Sequence, residues 1–181
     1  GTTVNIPLPP HTSEEGFLYT IDNMVLPILD DFKPDLIVNS AGQDNHYADP
    51  ITNMNFSAQG YAELTRMLRP DIADLEGGYA IEGALPYVNA GIILAMAGMD
   101  YSHLKEPDYD PVRIRQSEEV TRWVEKVSQK VIGVWQDRKQ MGKSVRAGHR
   151  HIRRQRRTHN VHNVQLGIVR LGHRPGIAGP L

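Results

Sequence analysis

The sequence predicts an α/β fold built on a parallel sheet. Residues 35–42 form a short apolar segment of the kind that becomes a strand buried on both faces, and a second short strand is predicted at 72–75. Segments with helical periodicity precede, separate and follow these two strands. Because strands alternate with helices, the sheet is expected to be parallel.

The first predicted elements are a strand and a kinked helix. Apolar residues alternate from position 4 to position 8 and then meet a Pro-Pro pair, which predicts a strand running into a loop. Thr12 and Glu15 fit a helix capping box, and apolar residues follow at helical spacing as far as Phe32. Pro27 lies inside this helix, so we expect a kink there.

Three further helices complete the predicted domain. Ser57 can cap a helix that ends before Pro70, a third helix covers 81–99, and a fourth begins near Ser117 with apolar residues along one face. In an open parallel sheet, ligands bind at the carboxyl ends of the strands. We therefore expect the chemistry in the loops that follow the two strands.

Composition excludes several classes of protein. The chain has 181 residues and no cysteine, so a metal ion must be held by carboxylate, imidazole or water. Its 40% hydrophobic content is enough to bury a core. No apolar run reaches membrane-spanning length and no signal-peptide pattern occurs at the start, so we expect a soluble cytoplasmic protein without membrane contact.

Charge separates the chain into two parts. Residues 139–181 contain no Asp or Glu but 10 of the 20 Lys and Arg; residues 1–138 hold the other 10 against all 21 Asp and Glu, a net charge of −11. We therefore predict a domain over 1–138 and a basic tail over 139–181. The tail is interpreted as disordered or as the product of a shifted reading frame, ahead of a nucleic-acid-binding arm whose Arg residues would neutralise phosphates.

The loop at 40–50 concentrates groups that can carry chemistry. It contains two carboxylates, an imidazole and a phenol directly after a predicted strand. Asp44 or Asp49 could ligate a metal while the loop glycine lets the backbone turn. The alternative is a structural loop in which Asp49 is fixed by the turn before Pro50.

The second loop is Glu76-Gly77-Gly78-Tyr79. Two glycines permit close approach of the backbone to a ligand and leave the phenol of Tyr79 projecting from the strand end, where it could hydrogen-bond a developing oxyanion. The alternative is a tight turn from strand to helix with a tyrosine that packs.

Taken together and in this order, the motifs resemble the histone deacetylase superfamily over residues 1 to about 110. The matching motifs are Asn5-Ile6-Pro7-Leu8-Pro9, Pro34-Asp35-Leu36-Ile37-Val38, Ser40-Ala41-Gly42-x-Asp44, Asp49-Pro50, Gly60-Tyr61, Leu64-Thr65 and Leu75-Glu76-Gly77-Gly78-Tyr79. The sequence is similar to the bacterial and archaeal branch that includes acetoin-utilisation and acetylpolyamine amidohydrolase proteins. This resemblance implies a three-layer α/β/α fold of the arginase/deacetylase type.

The resemblance also implies roles for individual residues. In that family one zinc ion is held by an Asp, a His and a second Asp, and Asp49 matches the second Asp. Tyr79 matches the tyrosine that polarises the scissile amide carbonyl and stabilises the tetrahedral intermediate. Asp44 matches an aspartate that supports the loop without being a ligand. The residues that would line an acyl-lysine channel are Phe56, Gly77 and Gly78.

The implied reaction is zinc-dependent hydrolysis of an N-acetyl amide. The substrate would be acetyl-lysine in a protein, an acetylated polyamine or another small acetamide, and a monovalent cation would accompany the zinc as in relatives. His46 matches no family role, and we expect a surface histidine or one that supports a neighbour.

Several family features are absent from the sequence. The family's His-His pair and its Asp-x-His ligand pair precede the Asn-x-Pro-Leu strand, and no His-His occurs here. We therefore expect that the N-terminal half of the domain is missing and that the chain alone is inactive. His11 stands where the family usually has glycine, and Asp74 replaces an apolar residue in a strand expected to be buried, where an unpaired carboxylate is costly.

Overall fold

The computed structural model describes residues 3–144, with side chains described over 3–138. Two strands, β1 (Val38–Ala41) and β2 (Ile72–Leu75), pair in parallel in a chain that also forms helices, so the predicted α/β class with a parallel sheet is confirmed. The elements in chain order are α1 Glu14–Thr20, a π-helical turn Ile21–Val25, α2 Leu26–Phe32, β1 Val38–Ala41, α3 Ala58–Leu68, β2 Ile72–Leu75, α4 Leu85–Met96 and α5 Glu118–Ser144.

The segment before α1 differs from the predicted strand. The Leu8 N–H donates to the Ile6 carbonyl at 3.0 Å, which closes a tight turn centred on Pro7. The ring of proline fixes φ near the value that such a turn requires. Ile6 and Leu8 are buried all the same, so this segment contributes to the core without forming more than a single bridge residue.

The predicted kink at Pro27 takes the form of a π-helical turn. The Leu26 N–H bonds to the Ile21 carbonyl, one residue further back than in an α-helix. Pro27 then falls in the first turn of α2, where its missing N–H leaves no bond unmade.

The helix begins one residue later than the predicted capping box. Ser13 is the capping residue, and its hydroxyl accepts the Glu15 N–H at 3.2 Å, whereas the Thr12 hydroxyl donates to the Pro9 carbonyl at 2.7 Å. His11 adopts a left-handed conformation with φ of 63°. Glycine adopts this conformation without cost, which explains physically why the position suits glycine.

The two strands differ in exposure. Val38 lies opposite Ile72 and Ala41 opposite Leu75. Alternate residues of β1 are buried, whereas β2 is largely exposed in this chain. Asp74 is therefore exposed, and the expected cost of burying its carboxylate does not arise.

Helix α3 forms as predicted, and α4 packs closely against it. The Ser57 hydroxyl accepts the Gly60 N–H at 3.1 Å, and the helix ends at Arg69, which has a φ of 47°, before Pro70. A Cβ at Gly91 of α4 would lie 2.9 Å from a backbone oxygen at the start of α3. Glycine at this position therefore lets the two helices approach.

The core is aromatic at its centre. The Phe56 ring lies between Phe17 and Tyr61, with ring centroids 4.8 and 4.7 Å away. Helix α5 joins this core through Val124 and hydrogen-bonds to α2 through Trp135. In the part of the chain that the structure describes, no helix is long and apolar enough to cross a membrane.

Helix α5 begins at Glu118, as predicted, and continues to Ser144, past the predicted boundary at 138. The rest of the predicted basic tail, 145–181, lies outside the described residues.

Candidate active site

The loops after β1 and β2 meet at the end of the sheet, where the parallel pairing places both strand ends. The Gln43 N–H in the first loop donates to the Gly77 carbonyl in the second. The Asp49 carboxylate oxygen Oδ2 accepts the N–H groups of Tyr79 at 2.7 Å and Ala80 at 3.3 Å. The structure therefore brings the carboxylate of Asp49 and the backbone of Tyr79 together at this end of the sheet.

Backbone donors hold the Asp49 carboxylate. Besides the two bonds to Oδ2, the other oxygen Oδ1 accepts the Ile51 N–H at 2.9 Å, and the side chain is only 7% exposed. The Ile51 bond is the turn that the structural alternative requires, and the role of Asp49 as a metal ligand stays a prediction. A carboxylate has about four acceptor positions, so three hydrogen bonds leave one position for a further ligand.

His46 belongs to this loop and is buried, at 1% exposure, so a surface role is wrong. Its Nδ1 accepts the Ala48 N–H at 3.1 Å, and its Nε2 lies 3.1 Å from Glu106 Oε1. The same Glu106 oxygen accepts the N–H of Ala58 at 3.3 Å.

Glu106 is a site residue that the sequence did not reveal. Burial raises the pKa of its carboxyl, but the hydrogen bonds from His46 and the backbone outweigh burial, and the pKa lies below its usual value. Glu106 lies in a segment without helical or strand periodicity, 60 residues after His46, so no local pattern marks it.

Asp44 lies where the two loops touch. Its backbone carbonyl accepts the Thr52 hydroxyl, and its carboxylate oxygen is 3.1 Å from the position that a Cβ on Gly77 would take. Asp44 therefore lies beside the second loop, and its role as a supporting residue stays a prediction.

The Gly77–Gly78 pair allows the loop to fit between its neighbours. A Cβ on Gly77 would lie 3.3 Å from the Tyr79 hydroxyl oxygen, and one on Gly78 would lie 2.8 Å from Leu85 and 3.1 Å from Gln43. The neighbours that require glycine here are protein atoms, and the predicted approach of this backbone to a ligand stays a prediction. The side chain of Tyr79 is 53% exposed.

The backbone of Phe56 pairs with the first loop, where its N–H donates to the Asn45 carbonyl at 3.2 Å and its carbonyl accepts the Tyr47 N–H at 3.0 Å. Its ring lies in the aromatic centre of the core, and the residue is 1% exposed. Its position in a substrate channel stays a prediction, as does that of the two glycines.

The donor set for a metal is partial. No group of three or more His, Asp or Glu side chains within residues 3–138 is placed to hold a metal ion. Catalytic zinc is usually held by three protein ligands. The Asp49 carboxylate has one acceptor position left for a metal, and a zinc ion held there would need its other ligands from outside the described residues.

The family model for the histone deacetylase domain matches residues 1–100, more than half of the chain. The chain belongs to the histone deacetylase family. A probable deacetylase of Archaeoglobus fulgidus is 52% identical over 117 residues, which cover 60% of this chain and 33% of that protein. The acetoin utilization protein AcuC of Staphylococcus xylosus is 34% identical over 108 residues, 54% of this chain and 28% of that protein. This chain thus spans about a third of the length of these curated relatives.

Solved structures agree on the fold of this histone deacetylase family member. The HD domain of HDA15 superposes with a TM-score of 0.55 at 22% identity, over 70% of this chain and 34% of that one. The histone deacetylase Clr3 gives a TM-score of 0.52 at 21% identity, over 68% and 21%. At these identities the likeness concerns the fold alone, and it confirms the predicted deacetylase-like α/β architecture.

The nucleic-acid alternative gains no support from these relatives. It rests on residues 139–181, and most of that tail lies outside the described residues.

Proposed function

We propose that this chain contributes a metal ligand, Asp49, and a catalytic tyrosine, Tyr79, to the zinc-dependent hydrolysis of N-acetyl amides. The observation that carries the proposal is the hydrogen bond of 2.7 Å between Asp49 Oδ2 and the Tyr79 N–H, in a chain of the histone deacetylase family. It ties the two residues to one end of the sheet.

Each group has a distinct task in this reaction. Zinc bound with Asp49 as one ligand would supply Lewis-acid polarisation of the acetyl carbonyl. The Tyr79 hydroxyl donates a hydrogen bond to the oxygen of that carbonyl as negative charge develops on it. The backbone N–H groups of Tyr79 and Ala80 hold the Asp49 carboxylate in place.

The substrate class is an N-acetylated primary amine. Acetyl-lysine in a protein, an acetylated polyamine and another small acetamide all present the same acetyl amide to Asp49 and Tyr79. A monovalent cation in the complete site and a cytoplasmic location are part of the same proposal.

The test uses an extended chain, in which the segment of the Archaeoglobus fulgidus relative that precedes its matched region is joined to the N-terminus of this chain. Acetate release from an acetyl-lysine peptide and from an acetylated polyamine is measured with zinc present. The extended chain is expected to hydrolyse at least one of them. Tyr79→Phe is expected to lower kcat by about 100-fold or more, because it removes one donor to the oxyanion.

Tyr19→Phe is the matched control, since Tyr19 is an exposed tyrosine on α1. It is expected to leave kcat unchanged. Full activity in Tyr79→Phe would refute the role given to Tyr79, and a folded, zinc-loaded extended chain that releases no acetate would refute the proposed reaction.

A further inference from the structure

A buried polar pair lies directly behind the loop that carries Asp49. His46 and Glu106 are 1% and 2% exposed, and His46 Nε2 lies 3.1 Å from Glu106 Oε1. The pair joins the loop after β1 to a segment 60 residues further along the chain. None of its atoms takes part in the proposed reaction.

The contacts of His46 fix the loop on three sides. Its N–H donates to the Gln43 carbonyl at 3.2 Å, and its carbonyl accepts the Asp49 N–H at 2.9 Å. Its ring accepts the Ala48 N–H. The main chain of His46 therefore holds both Gln43 and Asp49, and its ring adds one hydrogen bond to the loop between them, at Ala48.

Glu106 determines the orientation of that ring. Because Nδ1 accepts a hydrogen bond, the proton of the neutral ring is assigned to Nε2, which donates to Glu106. Glu106 is itself fixed by the Ala58 N–H at the start of α3. The start of α3 thus hydrogen-bonds the Glu106 carboxylate, which accepts a hydrogen bond from the His46 ring. The ring in turn hydrogen-bonds the loop at Ala48.

The pair carries a cost that its packing does not explain. The second carboxylate oxygen, Oε2, is buried and has no hydrogen-bond partner within the described residues. Replacing Glu106 by an apolar side chain would leave the His46 Nε2–H and the Ala58 N–H without an acceptor. The carboxylate therefore serves the two hydrogen bonds that Oε1 accepts.

We propose that Glu106 is a positioning residue that sets the place of the Asp49 carboxylate through His46. The proposal rests on the function proposed for Asp49, and it adds a residue to that site which does not touch substrate or metal.

The test uses NMR of the full chain with Glu106→Ala and Glu106→Gln. Glutamine presents an amide oxygen that can accept both bonds made by Oε1, whereas alanine accepts neither. The readouts are amide hydrogen exchange at Tyr79 and Ala80, which donate to Asp49, and the ring ¹⁵N shifts of His46, which report its tautomer. Glu63→Ala is the control, because Glu63 is a glutamate of α3 whose bonds go to Arg66 and Tyr101.

Glu106→Ala is expected to speed exchange at Tyr79 and Ala80 by about tenfold or more, the effect of losing one charged hydrogen bond, with α4 and α5 unaffected. Glu106→Gln restores slow exchange and the native tautomer, and Glu63→Ala changes neither. Unaltered exchange at Tyr79 in Glu106→Ala, or equal acceleration in every helix, overturns the proposal.

If Glu106→Ala does not fold, Glu106→Gln decides alone. Amide exchange at Tyr79 and Ala80 as slow as in the wild type, together with the wild-type His46 tautomer, supports the proposal. A changed His46 tautomer with wild-type exchange at Tyr79 overturns it. Neither readout needs hydrolysis, so a failed deacetylase assay and a failed positioning test are separate results.

Discussion

Asp49 and Tyr79 lie on neighbouring loops, yet the fold holds their side chains differently. The Asp49 carboxylate is 7% exposed and accepts three backbone hydrogen bonds, whereas the Tyr79 side chain is 53% exposed. For Tyr79 it is the backbone that is held, by Asp49 itself. The described residues therefore determine the position of the carboxylate and leave the phenol accessible from solvent.

The difference comes from how each loop is anchored. The first loop buries its own side chains, including Gln43 and His46, which bond to α4 and to Glu106. The second loop contains two glycines and is joined to its neighbours through backbone groups. Substitutions in the first loop should therefore affect stability, while those at Tyr79 should affect chemistry alone.

The largest effect is expected from His46→Ala. It removes the hydrogen bond that the His46 ring donates to the buried Glu106 carboxylate, which costs about 1.5–3 kcal/mol, and the cavity left by the ring adds to this loss. Urea denaturation followed by circular dichroism measures the loss. His103→Ala is the control, since His103 is exposed beside Asp100, and it should change stability by less than about 0.5 kcal/mol. Equal values for the two variants would contradict the anchoring role of His46.

Asp49→Ala is expected to cost about 1–3 kcal/mol of unfolding free energy, because three backbone N–H groups lose their acceptor in a partly buried loop. The same denaturation experiment checks it. Asp30→Ala is the matched control, because Asp30 is exposed and pairs only with Lys33 across one helical turn among the described contacts. A stability of Asp49→Ala equal to that of Asp30→Ala would show that the loop does not depend on its carboxylate.

Acid should weaken the anchor of the first loop. The folded-state pKa of Glu106 lies below its ordinary value of 4.5, so its contribution is present above that value and is lost as pH falls through the folded-state pKa. Stability measured from pH 7 to pH 3 should therefore fall less steeply in Glu106→Gln than in the wild type. Parallel curves for the two proteins would show that Glu106 is not linked to acid unfolding.

The smallest effect is expected from Tyr79→Phe. Its side chain is exposed, so the free energy of unfolding should change by less than about 0.5 kcal/mol. A loss of more than about 1.5 kcal/mol in thermal or urea unfolding would mean that the phenol anchors the loop after all, and the contrast with Asp49 would fail.

Local signals account for the elements that the sequence predicted well. Ser57, Pro70 and the apolar residues between them define α3 through a cap, a stop and a periodicity that all lie within a short segment. The strand at 72–75 was predicted with its observed bounds. The carboxyl ends of parallel strands meet at one edge of a sheet, and this rule alone predicts that the two site loops lie together.

Long-range contacts account for the rest. The alternation of apolar residues predicted a strand where the backbone forms a turn at Pro7. Ile6 and Leu8 are buried as that alternation indicates, but the backbone geometry is that of a turn. His46 could not be assigned a role from the sequence, because its partner Glu106 is joined to it only by the tertiary fold. Asp74 lies in a strand that was expected to be buried. The exposure of its side chain depends on what packs over β2, which the sequence of the strand does not encode.

Asp49 is proposed as a zinc ligand and Asp44 as a residue that supports its loop, and the amount of bound zinc distinguishes these two roles. Zinc per chain is measured by atomic emission on the extended chain after dialysis, for the wild type, Asp49→Ala and Asp44→Asn. Asp49→Ala is expected to hold no zinc, while Asp44→Asn keeps it with an affinity lowered by about 10- to 100-fold at most. Zinc retained by a folded Asp49→Ala variant and lost from Asp44→Asn would contradict the account.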